Sequence, residues 1–157
     1  MGRGFDQGRG ASPWQPPVVD RQKITDIVAH DQPENLVTLA DRYGKDLAYA
    51  NLATAQIRGI FGAVRSMQGR WETDATRRDG RRALLMLKPK LEYQAARLRP
   101  TRPGDPAPVQ LLRDLLIPAI DAVGDDVEKF RRFVDYFEAL LAYHKAHGGA
   151  DKSRDNR

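Results

Sequence analysis

The sequence contains no cysteine. That excludes a disulfide scaffold, a thiolate zinc site and a cysteine nucleophile, and it is compatible with a reducing compartment. Long apolar runs are missing too. The longest, Leu115–Ile120, falls far short of the ~18 residues a membrane span needs. Residues 1–19 carry no apolar h-region and do not read as a secretory signal. A cytoplasmic protein with no membrane partner is expected. No segment alternates apolar and polar residues with period two over strand length, so no sheet is expected. A Gly-rich phosphate loop, a nucleophile elbow and a His-Glu-x-x-His run are all absent. Nothing in the chain asks for an enzyme or a cofactor.

What the chain does contain is charge. Hydrophobic residues make up 41% of the 157 and charged residues 30%, which suits one domain with a single core and a charged exterior. The net charge of +5 is unevenly distributed. Residues 65–102 hold eleven Lys and Arg against four Asp and Glu, a local excess of +7, so the rest of the chain sums to −2. A basic region concentrated in this way is the electrostatic footprint of a polyanion partner, usually nucleic acid.

Residues 1–19 are rich in Gly, Arg, Gln and Pro and read as a disordered tail, the Arg3-Gly4 and Arg9-Gly10 pairs included. Residues 20–149 read as an all-α compact bundle of about five to six helices, and 150–157 as a polar tail. Asp20 caps a short helix with Ile24, Ile27 and Val28 along one edge. Pro33 and Glu34 start a second, in which Leu36, Ala40, Tyr43 and Leu47 repeat at helical spacing. A third follows Thr54 with Ile57, Ile60, Phe61 and Val64, and Gly69–Thr76 reads as a loop. Thr76 and Asp79 then resemble a capping box for a helix reaching about Leu98, which Pro89 is expected to kink or restart. The next helix carries Val109, Leu112, Leu116, Ile120 and Val123, with Pro118 inside it, and stops at Gly124. Asp125 and Glu128 form a capping pair for the last, whose stripe runs Val127, Phe130, Val134, Phe137, Leu141, His144.

At about 100° per residue, the apolar stripe Leu84, Leu87, Leu91, Ala95, Leu98 turns Arg82, Lys90, Tyr93 and Arg97 outward together. Three long cations around one aromatic ring can grip phosphates and stack a base or sugar. A solvated charged face is the plainer reading of such a helix, and the local excess of +7 favours binding over it. Arg58 and Arg65, seven residues apart, extend this surface or simply solubilise the third helix; periodicity does not decide. His144, His147 and Asp151 have a loose ligand spacing. His144 continues the apolar stripe, however, and His147 stands where a helix dipole favours a cation, so no metal site is expected. Asp121, Asp125, Asp126 and Glu128 cluster at a helix start and read as capping rather than paired catalytic carboxylates.

Three blocks in order resemble the Csm small-subunit family, the small subunit of type III-A CRISPR effector complexes. Leu52-Ala53-Thr54-Ala55-Gln56-Ile57-Arg58 is similar to the family's Leu-Thr-Thr/Ser-Ser-Gln-Ile-Arg block. Leu87-Lys88-Pro89-Lys90-Leu91-Glu92-Tyr93-Gln94-Ala95-Ala96-Arg97 is similar to its Leu-Lys-Pro-Lys/Arg-Leu-x-Tyr-x-x-x-Arg block. Phe137-Glu138-Ala139-Leu140-Leu141-Ala142-Tyr143-His144-Lys145 is the third. Ala53 and Ala55 stand where hydroxyl residues are common, residues 70–82 are unusually arginine-rich, and the Gly/Arg start has no counterpart.

The resemblance implies a non-catalytic helical bundle that stacks in several copies beside the guide–target RNA duplex, in antiviral defence. The implied partners are guide and target RNA, the backbone subunits, the large signature subunit and other copies of the chain. Carried over position by position, its RNA-binding residues are Arg58, Lys88, Lys90 and Arg97. With Arg82 and Tyr93 from the helix geometry, these make the expected RNA-binding set. A helical protein–protein adaptor or dimerisation module without RNA contact is the competing class. A DNA-binding helix-turn-helix around Asn51–Thr54 is disfavoured by the apolar third helix.

Overall fold

The computed structural model describes residues 14–149. Six helices follow in order: α1 (Arg21–Ala29), α2 (Pro33–Tyr49), α3 (Thr54–Trp71), α4 (Asp74–Arg97), α5 (Pro108–Val123) and α6 (Val127–Ala146). No strand occurs among the described residues, in line with the missing period-two pattern. The expectations for residues 1–13 and 150–157 lie outside the described residues. Trp14–Val19 has no regular secondary structure, yet Trp14 and Val19 pack against the core, and the Trp14 N–H donates to the Gly104 carbonyl at 2.8 Å.

Each helix starts for a local reason. The Asp20 Oδ1 accepts the Lys23 N–H at 3.0 Å and caps α1, while the Tyr43 hydroxyl accepts the Asp20 N–H at 2.8 Å. Pro33 and Pro108 occupy the first turns of α2 and α5, where a missing N–H costs nothing. Asn51, in the left-handed region at φ 64°, turns the chain from α2 into α3. Ala53 offers no capping oxygen to α3. Gln56 instead reaches back, its Oε1 accepting the Ala53 N–H at 3.3 Å, so half of a capping box survives.

Three boundaries differ from the sequence expectation. Helix α3 does not stop at Gly69 but runs on to Trp71, because that side chain is fully buried. It stacks on Phe130 with ring centroids 4.4 Å apart, and beneath Gly80, where a Cβ would come within 2.8 Å of its ring. The linker to α4 thereby shrinks to Glu72 and Thr73, and Thr73 rather than Thr76 is the N-cap position of α4. The Thr76 hydroxyl is engaged elsewhere, donating to the Arg70 carbonyl at 2.8 Å. For α6 the cap is Asp126, not Asp125: its Oδ1 accepts the Lys129 N–H at 3.0 Å, and that bond holds the Asp126 carboxyl below the usual carboxylate range.

Pro89 does not restart α4, which is continuous from Asp74 to Arg97. The ring lies on the exposed face, so the Leu85 carbonyl left free by its missing N–H is on the solvent side.

The core is one cluster drawn from all six helices. Helices α2 and α6 form the most extensive pair, and α1 lies mainly against α5. At Gly44 the two backbones of α2 and α6 touch: a Cβ there would sit 2.6 Å from the Tyr143 Cβ and 2.9 Å from the His144 N. Phe61, Phe130, Phe133 and Phe137 interlock at centroid distances of 5.1–6.3 Å. The aromatic face of α6 is thus mostly core. Tyr136 is fully buried, its hydroxyl donating to the Leu115 carbonyl at 3.1 Å, while Tyr143 is half-buried.

Candidate nucleic-acid interface

Helices α3 and α4 lie side by side, connected by two residues, so they run antiparallel along one side of the bundle. Each puts its apolar stripe inward. On α4 that stripe is Leu84, Leu87, Leu91 and Ala95, all buried, with Gly80 added where Trp71 crosses. The opposite side is left to solvent. Arg82, Lys90, Tyr93 and Arg97 are all exposed there, Tyr93 by 66%. They share a face, as the helical phase requires. Arg58 is exposed on α3.

None of Arg58, Arg82, Lys90 and Arg97 has an ion-pair or hydrogen-bond partner among the described residues. An unpaired cation retains its full attraction for an outside anion. A cation already matched to an acid must first give that acid up. Lys88 is the counter-example. It points to the other edge of α4, is half-buried, and its Nζ lies 2.6 Å from the Asp121 Oδ1 of α5. Beside it Arg113 bridges Glu92 and Asp114, at 3.4 and 3.0 Å. The α4–α5 seam is therefore charge-matched, and the side of α4 that meets α3 is not. Of the six residues singled out from sequence, five are free cations or an exposed ring, and Lys88 stands apart.

Two further arginines are exposed on α3. Arg70 lines a depression of about 440 Å³ with Asp79, Arg82, Ala83 and Met86. Its place beside Arg82 follows from the extra turn of α3. The spacing of Val64, Met67 and Trp71 already carried that signal at three and four residues. Arg65 stands exposed, with its guanidinium 5.9 Å from the Phe61 ring centroid.

His144 and His147, the two with a loose ligand spacing, are committed to the fold. Nε2 of the buried His144 is 2.7 Å from the Leu52 carbonyl, and burial lowers the pKa of this ring. His147 Nε2 lies 2.6 Å from Asp41 Oδ1. No group of three His, Cys, Asp or Glu among the described residues is placed to hold a metal ion, and no described helix is long and apolar enough to cross a membrane.

A six-helix bundle with a buried aromatic spine and an unpaired cationic face on α4 defines a small all-α module. The chain belongs to the Csm2 type III-A family, whose model matches residues 30–150, which take in helices α2 to α6. It is therefore a small subunit of a type III-A CRISPR effector complex, a family of structural, non-catalytic components. No curated protein and no solved structure matches the sequence.

Proposed function

We propose that this chain binds RNA through the α3–α4 face and contributes no catalysis of its own to the effector complex. The observation that carries the reading is the set of exposed, unpaired cations Arg82, Lys90 and Arg97 on the same face of α4 as the exposed Tyr93 ring, with Arg58 exposed on α3. Long cations with a stacking platform between them suit a sugar–phosphate backbone and one unstacked base, with no means of reading sequence. In a guide-directed complex base pairing supplies the specificity, so contacts to backbone and shape suffice. Several copies stacked beside the guide–target duplex would each add a few contacts, and avidity would do the rest. Lys88 fits a different task, fastening α4 to α5. The backbone subunits, the large signature subunit and other copies of this chain are its proposed protein partners, in the cytoplasm.

The exposed apolar side chains of α4, Leu85, Met86 and Tyr93, favour a second reading in which this face docks a protein instead. Titration of the purified chain with mixed-sequence RNA at several salt concentrations separates the two. RNA binding is expected to weaken with salt, the logarithmic slope being roughly −0.7 per phosphate contacted on a single strand. Replacing Arg82, Lys90 and Arg97 together by glutamate is expected to reduce affinity and flatten the slope, with little change in melting temperature. Absence of salt-dependent binding by the parent, alone and within its complex, would leave the protein-docking reading in its place.

A further inference from the structure

The two nitrogens of the buried His144 ring face two different segments of the chain. Nε2 lies 2.7 Å from the Leu52 carbonyl, which can only accept, so the proton sits on Nε2 and Nδ1 is a bare lone pair. Nδ1 is buried too and has no donor among the described residues. Its cover is Gly149, itself buried, where a Cβ would fall within 2.7 Å of the ring atoms Cε1, Nδ1 and Nε2. The cover is a hydrogen-bonded turn. Gly148, at φ 91°, reverses the chain after α6, and its N–H donates to the Lys145 carbonyl at 3.1 Å. The Gly149 N–H then returns to the His144 carbonyl at 2.8 Å.

Few charges act on this ring. Burial opposes a second proton most, Lys145 on α6 adds to that, and the bond to Leu52 works the other way. The stretch that carries Leu52 and opens α3, Ala50–Ile57, has no ionisable side chain. On α2, Asp41 is engaged with His147, and Asp46 is half-buried with Arg42 and Lys45 acting on it. No carboxylate among the described residues is bonded to the His144 ring.

We propose that His144 and Gly149 form an acid-released latch at the C-terminal end of α6, a device independent of the RNA reading above. Protonation leaves the Nε2–H on Leu52 and places a second N–H on Nδ1, where the Gly149 methylene offers no acceptor. That buried donor is satisfied once the Gly148-Gly149 turn moves off and water reaches the ring. The α2–α3 turn keeps its bond, so the opening is local and one-sided. Linkage sets the direction: the uncovered ring takes up the proton more readily than the covered one. The open fraction therefore grows as pH falls below about 6.5, by up to about tenfold per pH unit.

The test is an NMR titration of the isotope-labelled full chain, following the His144 ring signals and the solvent-exchange protection of single amides. Protection of the Gly149 amide is expected to fall about tenfold between about pH 6.5 and 5.5. The amides of Leu52, Val134 and Phe137 are expected to lose far less over the same range. In His144→Gln, which keeps a side-chain donor but cannot take up the proton, the pH dependence at Gly149 is expected to vanish. Gly149→Ala keeps the ring and removes its cover, so its His144 is expected to titrate closer to an ordinary histidine than the parent's does. This second variant decides the matter if His144→Gln does not fold. Gly149 protection that ignores pH, or that keeps its pH dependence in His144→Gln, overturns the latch. Equal loss at Gly149, Leu52 and Phe137 is global unfolding and overturns it too, as does an unchanged His144 titration in Gly149→Ala.

Discussion

Lys88 and Lys90 are two residues apart on one helix and have opposite surroundings. The Lys88 Nζ lies 2.6 Å from Asp121 Oδ1, whereas Lys90 is exposed with no acid against it. A helix turns about 200° over two residues, which is enough to move a side chain from the α5 seam to the α3 groove. Lys90→Met is expected to reduce the magnitude of the single-strand salt slope by about 0.7, and Lys88→Met to leave it nearly unchanged. The Lys88 substitution removes a partly exposed ion pair and should cost at most about 1 kcal/mol in a denaturant titration. Equal slopes for the two variants would show that pairing does not govern this surface.

Gly44 is where α2 and α6 come into backbone contact, and alanine there must displace Tyr143 or the chain at His144. The neighbour is main chain rather than the end of a flexible side chain, so relief requires the helices to part. Gly44→Ala is expected to destabilise the protein by roughly 1–3 kcal/mol, the usual range for overpacking. An unchanged melting temperature would mean that α2 and α6 are not this close.

His144 makes stability depend on pH. Burial lowers its pKa in the folded chain, the hydrogen bond to Leu52 partly opposing this and Lys145 reinforcing it. The unfolded chain then takes up the proton more readily, so the contribution is complete above about pH 6.5 and is lost as pH falls below it. Asp46 and Asp135 have raised pKa values, both chiefly through burial, and act in the opposite sense nearer pH 4. The histidine effect is therefore best read between about pH 5.5 and 7. Melting temperature is expected to drop across that window on acidification, and less so in His144→Gln. Parallel curves for parent and variant would exclude His144 as the source.

Pro89 sits inside an unbroken helix and on its exposed side. Proline in a helix interior is about 3 kcal/mol less favourable than alanine, and no buried contact of Pro89 offsets this. Pro89→Ala is expected to stabilise the fold by about 1–3 kcal/mol, seen as a higher denaturant midpoint. A loss of stability would mean that the backbone geometry Pro89 imposes is needed for α4 to follow the core.

Most of this fold was legible because each helix has its apolar residues at helical spacing. Ile24, Ile27 and Val28, or Leu84, Leu87, Leu91 and Ala95, could be placed in the core from spacing alone. The end of α3 was misplaced because a tertiary contact overrode a local signal, whereas the starts of α4 and α6 shifted through local hydrogen bonds. Gly69 looked like an end, but Trp71 had a pocket to fill against Phe130 and Gly80. Thr76 looked like a cap, but its hydroxyl bonds the Arg70 carbonyl. Within the candidate site, phase predicted that Arg82, Lys90, Tyr93 and Arg97 share an outward face. What phase could not supply was pairing across helices. The ion pair of Lys88 joins residues 33 apart in sequence, and the neighbourhood of Arg70 and Arg82 depends on how α3 ends.

The guanidinium of Arg132, on α6, donates to the carbonyls of Val28 and Ala29 at the end of α1, across more than 100 residues of sequence. Helix α2 depends on α6 in the same way, and α1 on α5. Helices α1 and α2 therefore bury their faces mainly against α5 and α6, which lie about 80 to 110 residues further along the chain. A chain arrested before α6 exposes Tyr43, Leu47 and the bare backbone at Gly44 together. The N-terminal half of the bundle therefore closes its core only with helices far along the chain, a topology rich in contacts between distant segments.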